Sequence, residues 1–192
     1  MKTVPVARSY AFENVVGISR GALDLHLSLY HGYVAQVGLL LRQSEATHRL
    51  AFELNGLLLH ELFFEQLNGT PSDPESSPEG QLLHVMNSSF ASAAAWRQQV
   101  TQLAQTRGIG WVLTAVDAEG AVLRNFWVAE HHLGVPMGFH PIAVFDLWEH
   151  AYLPDHASGS RGDYMTALFR NLDWTVLQSR LTAQAGLVRR VG

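Results

Sequence analysis

PIAVFDLWEH, residues Pro141 to His150, sets the terms for the whole chain. Ile142 to Phe145 is an apolar run with β-branched and aromatic members, which reads as a buried strand. Asp146 then stands at the strand's end. His150, four residues on, falls one turn into whatever follows, with a second carboxylate, Glu149, beside it. A carboxylate and an imidazole held close at a strand end make half of a metal site, hard oxygen plus borderline nitrogen, suited to iron, manganese or zinc. The plainer reading of the same spacing is a capping Asp followed by an unrelated His.

Outward from this stretch, composition narrows the classes. The chain has 192 residues, 47% of them hydrophobic, enough for one large domain or two small ones. Net charge is −4 and no basic block appears, so nucleic acid and anionic membrane are poor partners. There is no Cys, which removes disulfides, thiolate ligands and cysteine nucleophiles together. The N-terminal residues lack a continuous apolar core of the signal-peptide kind, and no run approaches the length of a membrane span. The expectation is a cytoplasmic protein. Ten His residues are many for this length, and their placement is the informative part.

Residues 1–18 read as an extended arm. Ser19 is a candidate N-cap for a helix in which Ala22, Leu23, Leu29, Val34, Val37 and Leu41 recur at helical spacing. His26, Tyr30 and Tyr33 share one face of it. They are either an aromatic core stripe or three polar groups gathered for a purpose. Ser44 to Thr47 is a polar break, a tight hairpin or an exposed patch. A second helix is expected from about His48 to Gln66, with His60 in its apolar run. A lone His there is commonly a hydrogen-bonded core residue, but two antiparallel helices would bring His26 and His60 face to face. Asn68 to Gly80, with three Pro and two Gly, reads as a linker. It divides an N-terminal helical hairpin domain, 1–75, from a C-terminal domain, 76–192. Helices are expected from Leu82 and from near Ser92 to Thr106. Strands follow at Trp111 to Val116 and Val122 to Ala129, with a turn at Asp117 to Gly120. Pro141 opens the third strand, and a helical region runs from Arg161 to Leu181. The last residues, from Val188, read as frayed. The fold class is α+β: an N-terminal α-helical hairpin, then a three-stranded antiparallel meander flanked by helices.

The chain resembles the iron/manganese superoxide dismutase family. DLWEHAYLPDH at 146–156 is similar to that family's signature around its Asp and His ligands. GIGWVL at 108–113 resembles its Gly-x-Gly-Trp strand, and RGDYMTALFRNLDW at 161–174 its C-terminal helix. HGYVAQV and LLHELFFEQL resemble its first two helices. The resemblance covers residues 15–181. It implies disproportionation of superoxide to oxygen and hydrogen peroxide at one iron or manganese ion per subunit. The implied metal ligands are His26, His60, Asp146 and His150, with solvent completing the set. Tyr33 matches the gateway tyrosine, while Trp111, Trp148 and Phe64 match an apolar wall. Some members carry a water-binding Gln where this chain has Gly56. The alternative position falls at Glu130-His131-His132, where His131 is expected to hold the solvent and His132 is its rival. Glu149 is expected to pair with His150 of the partner subunit in a homodimer, with Tyr152 and Arg161 nearby. Arg161 is either a steering charge for superoxide or a structural ion-pair former.

Two departures from the pattern stand out. Tyr30 occupies a position where many members have His, and Leu153 replaces that residue's usual interface Tyr, so a different relay is expected there. The segment from His26 to Tyr33 is also one residue short. Two competing readings remain: a metal-dependent hydrolase, which the bulk of Tyr33, Trp111 and Trp148 disfavours, and a relative that binds metal without turnover.

Overall fold

The computed structural model describes residues 5–43, 47–67, 70–119, 121–156 and 161–188. The expected frayed tail beyond Val188, most of the Ser44 to Thr47 break, the first two linker residues and Gly120 of the expected turn lie outside them. Ser19 caps α1 (Arg20–Arg42), its Oγ accepting from Ala22 N at 3.1 Å. Ala22, Leu23, His26, Tyr30, Val34 and Val37 form the buried face of α1, at spacings of three and four. α2 (Arg49–Glu65) returns against it and buries Gly56, Leu57, His60, Phe63 and Phe64. No proline lies between Pro5 and Pro71, so neither helix is interrupted. The linker leads to α3 (Gly80–Phe90) and to α4 (Ala93–Ala104), which Ser92 caps by accepting from Ala95 N at 3.0 Å.

The strands are β1 (Gly110–Asp117), β2 (Leu123–Ala129) and β3 (Phe139–Asp146). They form one antiparallel sheet in the order β2-β1-β3. This departs from a meander, which would put β2 in the middle. The reason is burial: Gly110 to Val116 is buried on both faces, whereas β2 carries exposed and half-buried positions suited to an edge. β3 begins two residues before Pro141. Its register against β1 slips at Ile142, because Thr114 pairs with Ala143 and Ala115 with Pro141. A bulge on an edge strand is where a proline, lacking its N–H, is tolerated.

The free edge of β3 is covered. The Gln66 amide donates to Val144 O and accepts from Val144 N at 3.1 Å. Arg180 donates to the bulged Ile142 O at 2.8 Å and to Leu62 O, near the end of α2, at 2.7 Å. After β3 come the single turn α5 (Glu149–Tyr152), then α6 (Arg161–Arg170) and α7 (Trp174–Val188). The continuous helical region expected from Arg161 is therefore two helices. Asp173 Oδ1 accepts from Thr175 N at 2.9 Å and starts α7 afresh. Asn171, in the break, holds the N-terminal arm through Val16 N at 3.0 Å and Val16 O at 2.7 Å. The architecture is α+β, with a helical pair followed by a three-stranded antiparallel sheet flanked by helices. No helix among the described residues is long and apolar enough to cross a membrane.

Candidate metal centre

Four elements converge at the end of β3. α1 supplies His26, α2 supplies His60, the last residue of β3 is Asp146, and α5 supplies His150. One nitrogen from each His and one oxygen of Asp146 lie within 4.8 Å of one another. Asp146 Oδ1 accepts from Trp148 N at 2.8 Å, which leaves Oδ2 facing the imidazoles. From Oδ2 the distances are 3.1 Å to His26 Nε2, 3.4 Å to His150 Nε2 and 3.7 Å to His60 Nε2.

The donor chemistry fits a cation. His60 Nδ1 donates to Gly56 O at 2.6 Å, so the neutral ring carries its lone pair on Nε2. That lone pair points toward a carboxylate oxygen, and no proton lies between them. His60 Nε2 and His150 Nε2 are both buried without a hydrogen-bond partner among the described residues. Burial pushes His60 well below the ordinary imidazole range, so protonation does not relieve the conflict. Burial also opposes ionisation of Asp146, but His150 and His26 outweigh it and hold the carboxyl far below its usual range. A metal ion supplies what three imidazole lone pairs and one carboxylate oxygen lack.

Beyond this cluster, His131 is fully buried and Tyr33 half-buried. Trp111 Nε1 donates to His131 Nδ1 at 3.0 Å, and Tyr33 Oη lies 2.7 Å from His131 Nε2. An indole N–H can only donate, so the His131 proton sits on Nε2 and is given to the Tyr33 oxygen. The Tyr33 O–H is then free to donate elsewhere. Burial lowers the His131 pKa to about 4 and raises that of Tyr33 above its ordinary range, so both are neutral near pH 7. Trp148 stacks on His131 with centroids 4.7 Å apart, and Phe64 lies 5.0 Å from His26.

The structure separates the neighbours His131 and His132. Glu130 adopts a left-handed backbone, φ 52°, and the chain turns there. His131 points inward, while His132 packs on Phe52 and His48, with Glu130 Oε2 3.9 Å away. The other expected residues lie further out. Arg161 donates to the carbonyls of Ala104, Thr106, Gly108 and Leu147 and sits 5.1 Å over the Tyr152 ring. Its donors are thus spent on main-chain oxygens, as in a structural anchor. Glu149 is exposed and makes no ion pair among the described residues. Tyr30 turns its hydroxyl toward Arg8 and Glu61. Arg8, Phe52 and Glu61 were not singled out from the sequence. Glu61 had a signal, since an acid beside His60 in a run of leucines and phenylalanines is out of place unless partnered.

Residues 78–180 match the sequence model described as iron/manganese superoxide dismutases, C-terminal domain. The chain belongs to the iron/manganese superoxide dismutase family. A relative called superoxide dismutase [Mn] 2, from Haloferax volcanii, is 36% identical over 120 residues, 62% of this chain and 58% of that protein. Superoxide dismutase [Mn] of Haloarcula marismortui is 37% identical over 121 residues, 62% of this chain and 56% of its own length. The protein of that name from Nocardia asteroides is 29% identical over 172 residues, covering 82% of this chain and 81% of itself. The match thus spans little more than half of the haloarchaeal proteins.

Proposed function

We propose that the protein is a superoxide dismutase that holds one iron or manganese ion through His26, His60, Asp146 and His150. The observation that carries this is the set of four convergent donor atoms, two of them buried and unpartnered among the described residues. The relatives named above are manganese enzymes by name, which favours manganese without excluding iron. The chemistry the bound ion supplies is reversible one-electron transfer. One superoxide gives up an electron and leaves as oxygen; a second gains it with two protons and leaves as hydrogen peroxide.

The chain's own residues handle the proton and the access. Tyr33 lends its O–H toward the pocket, because its oxygen is already occupied by the His131 proton. His131 serves as the positioning residue: Trp111 fixes its tautomer, and low basicity keeps it from taking Tyr33's proton. Phe64, Trp111 and Trp148 wall the ligand cluster with bulky rings against His26, His60 and His150, which disfavours the larger substrate of a hydrolase. The exposed Glu149, free of an ion pair among the described residues, fits a homodimer contact with His150 of the partner subunit. The division into units 1–75 and 76–192 is supported by the family match that begins at residue 78.

The test is metal analysis and superoxide dismutation by protein loaded separately with iron and with manganese. Turnover with either metal, lost in His60→Ala, is expected. Full loading with no turnover would make the protein a metal-binding relative that lacks catalysis.

A further inference from the structure

The N-terminal arm crosses the two helices that carry His26 and His60. Tyr30 is fully buried and one turn beyond His26 on the same face of α1. Its hydroxyl accepts from Arg8 N at 2.9 Å and donates to Glu61 Oε1 at 2.9 Å. Glu61 follows His60 directly on α2 and is only 8% exposed. Arg8 Nε lies 3.2 Å from Glu61 Oε2, and its guanidinium also meets Glu65. Tyr10 and Phe12 of the arm pack on Phe64 at 5.2 and 5.6 Å, and the Phe64 ring borders His26.

A buried carboxylate needs partners, and Glu61 draws them from α1 and from the arm. The bond from Tyr30 to Glu61 therefore ties α1 to α2 within one turn of each ligand. Only Tyr30 and Glu61 in this group are buried polar residues; Arg8 is half-exposed and closes the group from outside. We infer that Tyr30 and Glu61, closed by Arg8, are positioning residues that hold His26 and His60 at ligating separation. This rests on the metal reading above and concerns how α1 and α2 are held, not the ligands themselves. It also accounts for the Tyr at this position: its hydroxyl serves the arm within one chain.

Cobalt(II) is a suitable probe, since its visible bands report ligand geometry and its release to a chelator reports retention. Tyr30→Phe removes both hydrogen bonds. It is expected to shift the cobalt bands and to release cobalt about tenfold faster, the scale at which outer residues act on metal affinity. Glu61→Gln keeps an acceptor for the Tyr30 hydroxyl but loses the ion pair with Arg8, and is expected to release cobalt faster than the parent and more slowly than Tyr30→Phe. A folded Tyr30→Phe with parental bands and release rate overturns the inference, even if its melting temperature falls. Should Tyr30→Phe not fold, Arg8→Gln, altered at an exposed side chain, decides by the same two readouts: faster release supports the clasp, and parental behaviour overturns it. The metal reading fails separately, if the parent protein shows no cobalt bands that His60→Ala abolishes.

Discussion

Gly56 serves two neighbours at once. Its carbonyl fixes the tautomer of His60, and its missing side chain makes room for Tyr33. A Cβ there would stand 2.7 Å from Tyr33 Cδ1, closer than real contacts allow. Gly56→Ala keeps the carbonyl and improves helix propensity by up to about 1 kcal/mol, so the variant should fold and hold metal. The ring of Tyr33 must shift, and its bond to His131 goes with it. The expected result is full metal content with a rate about 10- to 100-fold lower, read by metal analysis beside the dismutation assay. His131 gives a second test at this scale. Burial holds its native pKa at about 4, below that of an unfolded His. As pH falls from about 6.5 toward 4 the unfolded chain takes a proton that the native one refuses. Stability therefore drops through that window and levels off below it. Compared in chelator, His131→Gln should lack this component, by up to about 3 kcal/mol in denaturant titrations. An identical pH profile for His132→Gln and His131→Gln would refute the assignment. Motif matching alone left these two neighbours interchangeable. What separates them is the left-handed turn at Glu130, a conformation that a non-glycine residue does not announce.

Helices and strands were legible where periodicity and caps agree. Ser19 and Ser92 sit ahead of apolar spacing and both cap helices. The β1 stretch read as a strand because its apolar run lies between glycines and a turn. Strand order was not legible, because alternation along a strand says which face is buried and nothing about which neighbour it pairs with. The break between α6 and α7 was missed for a related reason. Asn171 and Asp173 act through main-chain groups, Val16 far away and Thr175 close by, and neither disturbs the apolar pattern. Arg180 belongs to the same class. From sequence it is a basic residue near a helix end; in the fold it satisfies Ile142 O at the β3 bulge and Leu62 O on α2. Arg180→Leu removes the charge and leaves both carbonyls and Glu65 short of a donor. The loss should be about 3 kcal/mol of unfolding free energy, measured by denaturant unfolding, with metal content unchanged. A neutral result would mean that the bulge is held by the sheet alone.

The candidate ligands come from residues 26, 60, 146 and 150, on four separate elements that meet at one point of the fold. Gathering three imidazoles around a buried carboxylate opposes folding, because His60 Nε2 and His150 Nε2 give up water and gain no hydrogen-bond partner among the described residues. An ion that binds the assembled set and not the open chain returns that loss through mass action. Stability should then depend on metal across the entire molecule, because α1, α2, β3 and α5 each place one candidate ligand at the same point. At free metal about a thousandfold above its dissociation constant the gain is roughly 4 kcal/mol. Stripping the protein with a chelator should lower the melting temperature by several degrees, about 2–4 °C per kcal/mol for a chain of this size. Adding manganese or iron back should restore it. His60→Ala separates this linkage from general salt effects, since it deletes one donor and relieves the facing lone pairs. Its melting temperature should be indifferent to chelator and to added metal, and its metal-free form should lose less than a buried imidazole-to-methyl truncation alone implies. A His60→Ala protein that still melts higher with metal would place the binding site elsewhere in the molecule.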